Sequence, residues 1–380
     1  MPADPSTNPE SSLSKLIRLR IAAGDFPSAV YVVAENGKTV FADALGDAVR
    51  VPETHAATLE TIYDLASLTK PLVTGLLCAR LVESGVLSLD SSVAQYLEEF
   101  NRPDKRPITV RDLLTHTSGL AAWRPLYLTA ADREGTLTAI ANEKLAYKTG
   151  KRVVYSDLGF IVLGFLLERL KGVSFADLAR REIIDSLALR RTVFSPVSKL
   201  RPDIAASETG NGYERAMCEG DFSSNAAESK LATWREQTIW GEVHDGNAYF
   251  LGGAAGHAGL FSSAAETLRL ANQFMAGQSE LLAPETCKLF QQNLTKGLNE
   301  ARSFAWQLAA TKDSTAGPAL PADAFGHNGF TGTSCWIDPH RERAFILLTN
   351  RTHDHPLPFA NLNATRRQFH SLAVAALDTL

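Results

Sequence analysis

Ser67, Lys70, Tyr155 and Asp157 are the residues of this chain whose types and spacing can do chemistry. A serine hydroxyl attacks a carbonyl near neutral pH only when a base stands beside it. Within Y-D-L-A-S-L-T-K-P-L-V-T-G-L-L, Tyr63 to Leu77, Ser67 and Lys70 are three residues apart, so a helix would put both on one face. Leu65 and Ala66 precede the pair, and Leu72, Val73, Leu76, Leu77, Leu81 and Val82 follow it. That run predicts an apolar helix entering the interior, with Lys70 one turn inside, where charge is costly. Burial or a neighbouring cation would depress the lysine pKa and let the amine accept the Ser67 proton. Ser-x-x-Lys alone is common at helix starts, where the serine caps and the lysine is solvated. Two later motifs change that reading.

Tyr155-Ser156-Asp157 and His327-Asn328-Gly329 follow in order. With Ser67-x-x-Lys70 they resemble the β-lactamase-related serine hydrolases: class C β-lactamases, D-Ala-D-Ala peptidases and β-lactamase-like esterases. Their motifs are S-x-x-K, then S-D-N or Y-x-N, then K-T-G. Softer similarity runs through Thr109 to Leu120, T-V-R-D-L-L-T-H-T-S-G-L, and Gly256 to Ser263, G-H-A-G-L-F-S-S. It covers the chain from about Leu16 to the C-terminus. The resemblance implies Ser67 as nucleophile and Lys70 and Tyr155 as proton-transfer groups, with Tyr155 also activating the deacylating water. It implies an oxyanion hole from the backbone N–H groups of Ser67 and Phe330, the latter on a strand edge made approachable by Gly329 and Gly332. Which of Lys70 and Tyr155 is the base stays open, since a coupled pair titrates as a unit.

Two departures bear on substrate. Asp157 stands where the family has asparagine; when ionised it only accepts hydrogen bonds, so it would hold Lys70 charged and remove a donor from the substrate side. His327 stands where the family has a permanent cation, and histidine is mostly neutral near pH 7. A carboxylate clamp is thereby weakened. Asp157, His327, Asn328, Gly329 and Phe330 are the expected substrate-binding set. The expected activity is hydrolysis of carboxylic esters or D-amino-acid peptides and amides through acyl-Ser67, with weak or no β-lactamase activity. The alternative is a degenerate, penicillin-binding-like receptor for peptidoglycan fragments or β-lactams.

Composition sets the outer bounds. The 380 residues are 45% hydrophobic and 8% aromatic with net charge -4. That suits a globular enzyme with a large core and argues against a nucleic-acid or polybasic membrane partner. Cys78, Cys218, Cys287 and Cys335 form no C-x-x-C and read as free thiols. His244, Asp245 and His257 match no metal-site spacing, and His116 reads as a buried hydrogen-bonded residue, so neither metal nor cofactor is expected. The start M-P-A-D-P-S-T-N-P-E is not a secretory signal and no apolar run spans a bilayer. That reads as cytoplasmic, or as periplasmic or extracellular if a signal has been removed.

These groups need a scaffold. Residues 1–12 read as a disordered leader and Ser14 to Ala23 as an amphipathic helix. Asn36-Gly37 marks a β-hairpin between two β-rich runs. Thr109 with Asp112 caps a helix ending near His116. The apolar loop Ala121 to Ala130, with Trp123, Pro125 and Tyr127, is a candidate pocket wall. A helix from Asp157 to Leu170 closes at Lys171-Gly172. Ser263 and Glu266 cap another. Residues 195–250 read as an irregular excursion. Strands return near Phe304, Thr333 and Ala344, and a helix from Leu362 to Leu380 ends the chain. The expected fold is α/β (α+β), β-lactamase/transpeptidase-like: an antiparallel sheet flanked by helices, from 13–66 and 250–380, with a mostly helical inserted domain, 67–249, and the active site at their junction.

Overall fold

The structure, a computed structural model, describes residues 11–221 and 234–380. Most of the leader, residues 1–10, and residues 222–233 of the 195–250 excursion therefore lie outside the described residues. Ser11 is not leader: its side chain caps α1 (Ser12–Ala22), which begins two residues earlier than the apolar pattern indicates.

The hairpin forms at its signal. β1 (Ser28–Glu35) and β2 (Lys38–Val49) are joined by Asn36 and Gly37 at φ +51° and +72°, as a two-residue turn that matches strand twist requires. A seven-stranded antiparallel sheet grows from it, in the order β3-β2-β1-β10-β9-β8-β7. Its other members are β3 (His55–Ala56), β7 (Gln307–Leu308), β8 (Phe325–Asn328), β9 (Ser334–Asp338) and β10 (Arg343–Thr349). Both chain ends thus build one sheet, with Val32 of β1 facing Ile346 of β10. A second, three-stranded sheet joins β4 (Tyr63–Asp64), β5 (Val193–Phe194) and β6 (Leu260–Ser262) in the order β4-β6-β5.

Alternation along β1 places the two cores. Val30, Val32 and Ala34 face the larger one, while Ala29, Tyr31 and Val33 face a smaller one closed by α1 and the last helix. The helices between the sheet's halves are α2 (Leu76–Glu83), α3 (Val110–Leu114), α4 (Leu126–Thr129), α5 (Gly135–Asn142), α6 (Asp157–Lys171), α7 (Phe175–Ala179), α8 (Gly212–Asp221), α9 (Gly246–Phe250), α10 (Ala264–Asn272) and α11 (Pro284–Cys287). α12 (Asn363–Leu377) ends the fold. Thr109 and Asp112 form the capping box of α3, Ser263 caps α10, and Gly172 closes α6 at φ +67°. α6 fully buries Leu158, Phe160, Val162, Leu163, Leu166 and Leu167. At about 1.5–3 kcal/mol for each large apolar side chain, this fixes its N-terminus, where Tyr155 and Asp157 stand.

Two local expectations change. The stretch after Ser67 is not a regular α-helix: a 3-10 turn, Ala66–Leu68, runs into a π-helical segment, Lys70–Gly75, before α2. Pro71 has no N–H to give the α-helical ladder, and a Cβ on Gly75 would sit 2.8 Å from Ala305. The loop 121–130 contains the helical turn α4, and Tyr127 turns inward to donate its hydroxyl to Glu214 at 2.7 Å. All four cysteines are free and buried. Among the described residues no helix is long and apolar enough to cross a membrane.

Candidate active site

Strand β4 delivers the chain to Ser67, and Asp64 at its end fixes the turn. One Asp64 oxygen accepts the Ala66 N–H and the other the His244 N–H, both at 2.8 Å. Thr331 and Thr333 donate their hydroxyls to the Asp64 and Leu65 carbonyls, at 2.7 and 3.0 Å. So held, Ala66 sits at φ +48°, a conformation costing an alanine of order 1–3 kcal/mol. Strain of this kind persists only where surrounding bonds over-determine it, and here it aims the next residue, Ser67, into a cleft of about 620 Å³.

Lys70 has no solvent exposure. Its ammonium donates to Ser67 Oγ at 3.0 Å and to the His257 carbonyl at 3.0 Å, and stands 2.6 Å from Asp157 Oδ1. The last contact is charge against charge rather than an aligned hydrogen bond. Burial pushes Lys70 down, but Asp157 and Tyr155 more than reverse this and leave it above the ordinary lysine value. The expected depression is therefore absent: the residue at 157 that was expected to hold Lys70 charged does so, and decides the sign. Asp157 is the first residue of α6, where the helix dipole favours a carboxylate.

Tyr155 lies beside this pair, with Lys70 Nζ 4.9 Å from its ring centre. Burial pushes its phenol up; the Lys70 charge and the Ser67 hydroxyl pull it down without cancelling that. His116 and His327 flank the ring at 4.6 and 5.7 Å. Buried His116 accepts the Ser156 N–H on Nδ1 at 3.0 Å and thereby sets the position of the Tyr155–Asp157 segment.

His327 lies in β8, and its Nδ1–H donates to the Asn328 carbonyl at 2.8 Å. Burial first, then the Lys70 and Arg302 charges, hold it well below the ordinary histidine value. It is a neutral wall residue and supplies no charge that titrates near pH 6.5. The Asn328 side chain lines the cleft but is engaged with Thr315. Gly329 presses against the nucleophile turn: a Cβ there would lie 2.6 Å from the Leu65 carbonyl. Phe330 sits in the turn between β8 and β9 rather than on a strand. Gly329 N–H bonds Thr333 and Gly332 N–H bonds Gly329, so the Phe330 amide is outside the turn's own bonds. The Ser67 amide is in the first turn of its helix, where N–H groups have no helical acceptor.

The cleft holds more than the motifs announce. Of the loop 121–130, Trp123 lines it; Tyr213, Phe330 and Phe359 form an aromatic wall, with Tyr213 and Phe330 centres 4.8 Å apart. Arg302, Arg351 and Arg366 bring three guanidinium groups that a motif search misses. Only Asn363 and Arg366 left a signal, three residues apart on the first turn of α12. Asp245 accepts from His257 at 2.9 Å and Glu208 pairs with His244 at 2.9 Å. Among the described residues no group of three or more His, Cys, Asp or Glu side chains is placed to hold a metal.

Comparison with known proteins fits this geometry. The family model described as Beta-lactamase matches residues 13–368. A provisionally named D-alanyl-D-alanine carboxypeptidase of Escherichia coli O157:H7 is 30% identical over 95% of this chain and 86% of its own length. An N-acetylmuramyl-L-alanine amidase of Bacillus subtilis is 30% identical over 92% of this chain and 82% of its own. Among solved structures, EstCE1, a hydrolase with promiscuous acyltransferase activity, superposes with TM-score 0.73 at 22% identity, covering 95% of this chain and 97% of that one. With the three motifs converging on one serine, the chain belongs to the Beta-lactamase family and is a serine hydrolase of that fold.

Proposed function

We propose that the protein hydrolyses small peptides, amides or esters through an acyl group carried on Ser67, with little action on β-lactams. The observation that carries this is the fully buried Lys70 ammonium 3.0 Å from Ser67 Oγ. The coupled Lys70, Tyr155 and Asp157 groups receive the Ser67 proton and return one to the leaving group; which of them holds it is a property of the set. The Ser67 and Phe330 N–H groups take the developing oxyanion. The names of both curated relatives denote amide-bond hydrolases, which favours peptides and amides. Arg351 and Arg366 give the cleft positive charge for a substrate carboxylate. Asp157, in place of a side chain that could donate to the substrate amide, disfavours β-lactams.

Intact mass after fluorophosphonate treatment should rise by one label, and Ser67→Ala should abolish it. A D-Ala-D-Ala peptide or a p-nitrophenyl ester should turn over faster than nitrocefin. Labelling that survives Ser67→Ala would overturn the assignment. A lasting β-lactam adduct with no turnover of any substrate would favour the receptor reading, which the Lys70–Asp157 pair motivates.

A further inference from the structure

We propose that Glu208 and His244 form a second base in the cleft, the one that activates the water of deacylation. This rests on the acyl-Ser67 reading and assigns its second half to residues outside the three motifs.

The pair has the geometry of an oriented imidazole. Both side chains are more than nine-tenths buried, and His244 Nε2 lies 2.9 Å from Glu208 Oε2. A carboxylate can only accept here, so Nε2 carries the N–H, and in the neutral imidazole that leaves the lone pair on Nδ1. Among the described residues nothing hydrogen-bonds Nδ1, and it is not among the buried unpartnered atoms; His244 lines the cleft that holds Ser67. The position is rigid. Glu208 also accepts the Tyr213 N–H at 2.8 Å, and Arg235 donates to the His244 carbonyl at 2.7 Å. Asp64 binds the His244 N–H with one oxygen and the Ala66 N–H with the other, so a single carboxylate ties the histidine to the turn that carries Ser67. The ring stacks on Phe330 at 5.4 Å and 24°. His244 therefore stands on the Phe330 side of the cleft.

Once the leaving group has gone, the Lys70 cluster, hydrogen-bonded to Ser67 Oγ, is placed to return a proton to that oxygen, and His244 gives the water proton a separate acceptor. In the proposed step His244 Nδ1 takes a proton from water as the water oxygen bonds to the acyl carbon. The carbonyl π pair moves onto the oxygen held by the two N–H groups. Collapse then breaks the bond to Ser67 Oγ. The serine oxygen takes a proton from the Lys70 cluster, which regains it from the His244 imidazolium through water. The sum is acyl-serine plus water giving carboxylic acid plus serine.

The test is pre-steady-state hydrolysis of a p-nitrophenyl ester. His244→Asn should give a burst of about one p-nitrophenol per site, then a steady rate lower by roughly 10²–10³-fold, the scale for losing a general base. Intact mass should show the acyl group accumulating on Ser67. Glu208→Gln, which removes the tautomer's anchor at equal size, should do the same by roughly tenfold, and it serves if the histidine variant does not fold. Fluorophosphonate labelling of Ser67 at the wild-type rate is the control for fold and nucleophile. Unchanged turnover, or a fall in burst and steady rates together with no acyl-enzyme, would overturn the proposal. A wild type that takes no adduct on Ser67 would instead overturn the acyl-serine reading itself.

Discussion

Replacing Asp157 by asparagine removes the counter-charge of a lysine that has no contact with solvent. Breaking a buried pair in this way costs about 3–5 kcal/mol, because the remaining charge is uncompensated. The stranded ammonium has one escape, which is to lose its proton, at about 1.36 kcal/mol for each pH unit below the ordinary lysine value near 10.4. That caps the loss at about 4.6 kcal/mol at pH 7 and about 2 kcal/mol at pH 9. In the wild type the folded-state value is raised, so the contribution of Lys70 is fully present below the ordinary value and is lost only as pH climbs through the raised one. Between pH 7 and 9 the wild type is therefore flat in this term while the variant recovers. An unfolding entropy near 2.1 cal/mol/K per residue gives about 0.8 kcal/mol/K for 380 residues, so the Tm gap should be roughly 4–6 °C at pH 7 and no more than 2–3 °C at pH 9. Paired thermal scans at the two pH values measure it. A gap that is absent, or the same at both, would show that Lys70 is not held as a cation by Asp157.

Lys70→Ala and Tyr155→Phe should each lower turnover by roughly two to four orders of magnitude with circular dichroism unchanged; near-normal turnover of either variant would make that residue structural. Because His327 stays neutral, KM for a carboxylate-bearing substrate should be flat from pH 5.5 to 8, and a break near 6.5 would mean an ionised imidazole reads the substrate. Gly329→Ala should force the β8–β9 turn away from the Leu65 carbonyl, costing about 1–3 kcal/mol and slowing fluorophosphonate labelling of Ser67; an unchanged labelling rate would separate that turn from the oxyanion site.

What could be read from the sequence was local. Asn36-Gly37, the Thr109/Asp112 capping box and Gly172 after α6 each act within a few residues, and each element formed where its signal stood. The proposed catalytic set could be picked out because its motifs keep Ser67 and Lys70 within one turn and Tyr155 at a helix start. What was missed depends on distant chain meeting. The π-helical segment after Ser67 follows from Pro71 and from Ala305 lying against Gly75. His244 reads as one more polar residue in an irregular stretch until Glu208 and Asp64 are seen to hold it.

The two departures from the family motifs act together on charge. Asparagine to aspartate at 157 adds a negative charge beside Ser67, and lysine to histidine at 327 removes a positive one. Left alone, these would make the site hostile to an anionic substrate and to the oxyanion itself. Asp157, however, is paired with Lys70 at 2.6 Å, so its charge is largely offset by the ammonium beside it. The missing cation has counterparts elsewhere on the cleft wall. Arg351 donates to the Phe330 and Ala360 carbonyls, and Arg366 to those of Gly329 and Thr333, so these donors meet carbonyls where a carboxylate would cancel their charge. Burial pushes Arg366 down to about 9, still protonated at neutral pH, and among the described residues its Nε has no hydrogen-bond partner. Positive charge has thus moved from strand β8 to the residues just after β10 and the first turn of α12, and under the proposed function a substrate carboxylate would be met there rather than at residue 327.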